Sequence, residues 1–182
     1  FTAPEPSVKR KGILFSGKMD VWANELMVNN IVNEIFPRIK KEIPDAVLNI
    51  VGANPSKKVL SYKSDCINIT GTVPEMKPYL QQAQLFLHPH IGGSGIQNKL
   101  LEAMACECPV VTTQTGIQGI PATHLKDVMI GKNYDELAYH SIRILKDSIF
   151  SEQIGANARR MIIDTHSWDI IFKSLDEIII GL

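Results

Sequence analysis

Long apolar runs are missing from this 182-residue chain, and no stretch approaches the ~20 residues that a membrane span needs. The opening residues also lack the apolar core of a secretory leader. Cysteine is scarce. Cys66, Cys106 and Cys108 make three, an odd count that excludes a dense disulfide framework and suits a reducing, cytoplasmic setting. Cys106 and Cys108 flank Glu107, but no second pair offers the remaining ligands of a metal site, so they read as small buried thiols. Charge of one sign is not in excess either: nineteen basic residues balance nineteen acidic ones, which argues against a surface built for nucleic acid or anionic membrane. There is no Asp-x-Asp to anchor a metal-held diphosphate. No G-x-G-x-x-G follows the first apolar run, and no glycine loop closes with G-K-S/T, so neither the dinucleotide fingerprint nor the P-loop is present. Internal repeats and low-complexity segments are absent.

The residues that are present alternate between two patterns. Short, near-continuous apolar runs at 12–17, 46–52, 66–71, 85–89, 109–113 and 127–131 read as strands buried on both faces. Between them lie helical stretches: a long one over 24–42 with Leu26, Ile31, Ile35, Ile39 and Ile43 on one stripe, a weak one at "KKVLSYK", and a short one in "PEMKPYLQQA" opening on Pro74. A helix over 97–106 follows, and further stretches at about 133–147, 151–163 and 168–180 finish the chain. This alternation predicts an α/β fold: a doubly wound, Rossmann-like parallel sheet with helices on both faces and a helical C-terminal tail. The chain opens on Phe1 and then "TAPEPSVKRKG", two prolines and a basic cluster. Residues 1–11 thus read as a linker entering the domain at 12–182, in a piece of a longer polypeptide.

In an open parallel sheet, ligands bind beyond the carboxyl ends of the strands. Glycines close the first three runs, at Gly17, Gly52 and Gly71, and the fourth is followed by "HPHIGGSGIQNKLLEAMA". Glycine there could let a ligand approach main chain, and the helix start could hold a phosphate through its free N–H groups and dipole. The ordinary alternative is that the glycines only turn the chain. Lys18 would face the same crevice as a cation, unless it is simply a solvated loop lysine. Glu102, inside the helix, suits a grip on a ribose diol, unless it is an exposed helix glutamate. His88 and His90 could share one face, but without a third ligand they read as loop or substrate-facing histidines rather than a metal pair.

The order "FSGKMD…VLNIVGANP…INITGTVPEMKPYLQQAQLFLHP…GSGIQNKLLEAMACECPVVTT" resembles the C-terminal, donor-binding domain of GT-B glycosyltransferases, best the retaining family-four branch. The similarity runs from about residue 12 to "HSW" at 166–168. It implies a nucleotide-sugar donor, no metal and no other cofactor. It also implies an acceptor domain N-terminal in the same polypeptide, through which any peripheral membrane contact would come. Gly17 and Lys18 match the family's Gly-Arg/Lys pair, whose cation contacts the donor diphosphate. Val73, in Gly71–Pro74, matches the loop receiving the nucleobase. Gly95, Ile96, Gln97, Asn98 and Lys99 match the diphosphate loop, and Glu102 the second glutamate of E-x7-E, which holds the ribose. Lys18 and Glu102 are thereby the expected catalytic pair. Two departures stand out: the first glutamate of that pattern falls on Ser94, and the family's second basic residue falls on Ala23, where neighbouring Asn24 cannot replace the charge. Because "GSGIQNK" is itself a recurring subgroup form, they read as subgroup chemistry, and they are the features that support the competing reading, a nucleotide-binding or interaction module that no longer transfers sugar. A receiver or flavodoxin-like domain fits less well, because the strand ends lack an acidic cluster.

Overall fold

A computed structural model describes residues 1–5, 7–93 and 95–166 of the chain. The predicted stretch at 168–180 and the end of "HSW" lie outside the described residues. Six strands form one parallel sheet: β1 (Ile13–Ser16), β2 (Leu48–Val51), β3 (Ile67–Ile69), β4 (Leu85–His88), β5 (Val110–Thr112) and β6 (Met129–Ile130). Their order across the sheet is β3-β2-β1-β4-β5-β6, with Ile13 opposite both Leu48 and Leu85. The chain therefore winds outward in one direction from β1 and then in the other from β4. Each predicted strand is present, shortened by a residue or more at its ends.

Alternate residues of each strand feed two cores. Ile13, Phe15, Leu48, Ile50, Leu85, Leu87 and Val111 pack on one face, under α1 (Trp22–Asn30), α2 (Phe36–Glu42) and α6 (Tyr134–Lys146). A short α3 spans Lys57–Leu60, capped where the Ser56 hydroxyl accepts from the Val59 N–H. Leu14, Phe86 and Val110 face the other side, under α4 (Lys77–Gln82), α5 (Asn98–Ala105) and α7 (Ser148–His166). With each fully buried Ile, Leu or Phe contributing about 1.5–3 kcal/mol, these two layers are the main stabilising term.

Three differences from the expected elements have physical causes. The helix predicted over 24–42 is α1 and α2 joined by a π-helical turn at Ile31–Ile35. Pro37 has no N–H and would press on the carbonyl four residues back, and the wider turn accommodates it. Ile31, Ile35 and Ile39 are fully buried as the stripe implies, whereas Met27 and Val28 bury in place of Leu26. The helix expected to open on Pro74 begins at Lys77 instead, with Pro78 in its first turn. Within the opening segment, Arg10 is no solvated linker cation: its guanidinium donates to the Ala83 and Cys106 carbonyls at 3.3 and 2.8 Å.

All three cysteines are free thiols. Burial pushes Cys108 up to about 12, so it packs as an inert side chain. Among the described residues no helix is long and apolar enough to cross a membrane.

The strand-closing glycines do different things. A Cβ on Gly52, at φ +152°, would overlap the Gly17 carbonyl oxygen, so the ends of β1 and β2 meet only because Gly52 lacks one. Gly71, by contrast, has open space around it. Gly52→Ala should therefore lower unfolding stability by about 2–4 kcal/mol in urea titration, while Gly71→Ala stays within about 0.5 kcal/mol.

His88 ends β4 inside the core, fully buried and stacked at 6.4 and 6.3 Å on the Phe15 and Phe86 rings. Burial, then Lys99 and His90, hold its pKa well below the ordinary 6.5. The unfolded chain then binds a proton that the folded chain refuses, so this contribution is intact above about pH 6.5 and is lost as pH falls below it. Melting temperatures should drop on acidification from about pH 7 to about pH 5, and His88→Phe should flatten that slope.

Candidate functional site

The crevice lies where the winding reverses, beyond the carboxyl ends of β1 and β4, the position at which open α/β sheets take ligands. Its first wall is the loop after β1. The Gly17 and Met19 N–H groups donate to the Val51 and Ala53 carbonyls at 3.1 and 2.8 Å, so this loop is tied to the end of β2. Met19 is fully buried and anchors the turn. Lys18 projects outward, its side chain 60% exposed, with Nζ 3.5 Å from an Asp20 carboxylate oxygen. Asp20 in turn accepts from the Asn54 amide at 3.0 Å. That bond, followed by Lys18, holds the Asp20 carboxyl below its ordinary value.

The second wall is the loop after β4. The Thr113 hydroxyl donates to the His90 carbonyl and fixes the loop to the end of β5. Gly93 and Gly95 adopt φ +124° and +101°, a region that only glycine enters freely. A Cβ on Gly95 would meet nothing within 4 Å, so this glycine is required by its dihedral and faces open space. Ile96 is exposed and leans on Gly119, where a Cβ would lie 2.9 Å from it. Gln97 occupies the N-cap position of α5 without a side-chain capping bond, and its amide donates to the Gly95 carbonyl at 3.3 Å. Asn98, the first residue of α5, is exposed. The first N–H groups of an eight-residue helix thus start beside this open loop. Ser94 lies outside the described residues.

Between the walls stands Lys99. Its Nζ donates to Asn24 Oδ1 at 3.0 Å and lies 5.9 Å from the Phe15 ring centre. The same Asn24 amide donates through Nδ2 to the Lys18 carbonyl at 2.9 Å. Asn24 is buried, and a Cβ on Gly17 would come within 2.8 Å of it. One side chain of α1 therefore links the β1 loop to the α5 lysine. Burial lowers the Lys99 pKa from 10.5, and Glu102 one turn on partly offsets this. Near the lysine, the His88 and His90 rings stack at 5.4 Å and 15°. Both have a buried Nε2 with no hydrogen-bond partner among the described residues, and that of His90 faces Gly93. Burial first, then Lys99, keeps His90 below its ordinary pKa.

The remaining expected residues are more dispersed. Glu102 is half-buried, with its carboxyl pKa raised chiefly by burial. It borders a cleft of about 390 Å³ shared with Arg159, Ile162 and His166 of α7. Val73, on the loop between β3 and α4, packs half-buried against the same core cluster as Leu101. So the structure brings Gly17, Lys18 and Lys99 together, and places Glu102 and Val73 along α5 and on the β3 side. Asn24 is the residue whose role the sequence does not disclose. His90 also borders a larger cleft of about 540 Å³ with Thr113, Gln114, Lys132 and Tyr134. Among the described residues no three His, Cys, Asp or Glu side chains cluster as a metal site would require.

Solved structures share this fold. A point mutant of Staphylococcus aureus TarM, in complex with fondaparinux, alpha-GlcNAc-glycerol and UDP, superposes with a TM-score of 0.76 at 17% identity over 95% of this chain and 36% of its own. Anabaena HepE in complex with UDP gives 0.76 at 14% identity over 95% of this chain and 50% of its own. The C-terminal domain of a glycosyl transferase group 1 family protein, LpcC of Francisella tularensis, gives 0.66 at 15%, covering 91% of this chain and 96% of that domain. By sequence, an "Uncharacterized 44.6 kDa protein in cps region" of Klebsiella pneumoniae is 28% identical over 168 residues, 84% of this chain. The chain spans 43% of that relative's length. A family model described as "Glycosyl transferases group 1" matches residues 10–147, and the chain belongs to that glycosyltransferase family.

Proposed function

We propose that this chain is the donor half of a retaining glycosyltransferase that moves a sugar from a nucleotide-sugar to a glycan or polysaccharide acceptor. The observation that carries the reading is the meeting of a glycine-rich loop, an uncapped α5 start and Lys99 where the strand order reverses. As the sugar–phosphate bond breaks, negative charge gathers on the departing nucleoside diphosphate. Preorganised N–H groups, with Lys18 and Lys99, stabilise that charge as it develops, without a metal ion. Glu102 holds the ribose hydroxyls, and main chain around Val73 receives the base. The acceptor and the remaining catalytic groups belong to another domain of the same polypeptide, in a cytoplasmic protein. The cps region of the Klebsiella relative's description fits a polysaccharide product.

UDP accompanies both TarM and HepE, which makes it the first probe. UDP at millimolar concentration should raise the melting temperature of the chain, and a chelator should leave that shift unchanged. A shift lost on chelation and restored by magnesium or manganese would overturn the metal-free account. Transfer by the full-length polypeptide from a panel of nucleotide-sugars separates the enzyme from a binding module that has lost catalysis.

Lys18 and Glu102 should serve different halves of the ligand. Lys18→Ala should weaken UDP by about 5- to 10-fold and leave uridine unchanged, since it removes a charge-assisted contact at an exposed position. Glu102→Gln should weaken both ligands together, because the ribose is common to them. Isothermal titration with the two ligands reads the difference.

A further inference from the structure

Lys99 differs from the cations around it in how its charge is met. Lys18 has Asp20 within ion-pair reach, and Arg159 has Glu107. Lys99 is half-buried, yet among the described residues its Nζ has no carboxylate at ion-pair distance. Its hydrogen-bond partner there is the neutral oxygen of Asn24. An ammonium carries three donors and loses much of its hydration on burial, so a single amide oxygen leaves it under-compensated. Such a charge favours an anion beside it.

Asn24 is built to hold that ammonium in place. It is 8% exposed, its Nδ2 is occupied by the Lys18 carbonyl, and this fixes which way its Oδ1 points. The absent Cβ of Gly17 is what lets the amide lie against the β1 loop. A second, separate observation points to a ligand at the same place. His90 Nε2 is buried without a partner among the described residues and faces Gly93, in the loop that opens beside α5. Among the described residues, the crevice thus holds a half-buried cation with no carboxylate at ion-pair distance and an unsatisfied ring nitrogen beside one open loop.

We propose that Asn24 is a positioning residue that holds the Lys99 ammonium toward the diphosphate of the donor, so that the principal interior cation of the site is delivered by α5 and oriented by α1. The proposal rests on the nucleotide-sugar reading above. Lys18, exposed and paired with Asp20, then acts at the rim, and Lys99 acts at the floor. Asn24 does not touch the ligand; it acts through Lys99.

The test is a double-mutant cycle on the full chain, read by titration with UDP, uridine and inorganic pyrophosphate. Lys99→Met should weaken UDP and pyrophosphate by about tenfold or more and leave uridine unchanged. Asn24→Leu should weaken the same two ligands by about three- to tenfold. In the double variant the losses should not multiply: binding should match Lys99→Met alone, because Asn24 has nothing left to orient. If Asn24→Leu does not fold, Asn24→Asp serves in its place. Its carboxylate keeps the contact to Lys99 but neutralises it, and should likewise weaken UDP while sparing uridine. Wild-type-like diphosphate binding by Lys99→Met, or losses that multiply in the double variant, would overturn the proposal while leaving the nucleotide-sugar reading intact. Failure of the wild-type chain to bind either diphosphate would remove both.

Discussion

Everything in this domain depends on the strand-order reversal between β1 and β4. Parallel strands must be joined by crossovers, and right-handed crossovers place each helix on a face set by the direction of winding. Because winding runs from β1 toward β3 and then from β4 toward β6, the loops leaving β1 and β4 diverge to opposite faces. The gap they leave lies between the β1 and β4 loops, with the Lys99 side chain standing in it on Asn24. The topology itself provides the opening.

What fills that opening electrostatically is uneven. The exposed Lys18–Asp20 pair sits in high dielectric at the rim and, as an ion pair, contributes little to the fold. Lys99 lies lower, near Phe15 and close to two histidines, where each charge interaction is less screened. Burial and the lysine's own charge both disfavour protonation of the two rings.

The sheet and most helices are legible in the sequence because burial on both faces leaves apolar runs with no polar interruption, as in Leu85–Leu87 or Val110–Val111. Glycine closures are visible too, but their meanings are not. Gly52 answers to the Gly17 carbonyl on a neighbouring strand end, a contact that no local pattern announces, while Gly71 answers to nothing nearby. The π turn escapes notice because Pro37 sits within a stripe that otherwise reads as an unbroken helix. The Asn24–Lys99 bond is hidden for a different reason. It joins residues 75 positions apart, and only the meeting of α1 with the start of α5 creates it. In sequence Asn24 reads as a poor substitute for a missing charge, whereas in the fold it aims a charge that another helix supplies.

The π turn also bears on which way this helix can aim its side chains. Such a turn is equivalent to one residue inserted into an α-helix, which rotates everything before it by about 100° relative to everything after it. The half that carries Asn24 is therefore indexed separately from the half whose Phe36 and Ile39 grip the core. Met27 and Val28 of the first half join Phe36 and Ile39 in one core, so the turn's phase shift is what lets Asn24 point to the β1 loop while both halves stay anchored.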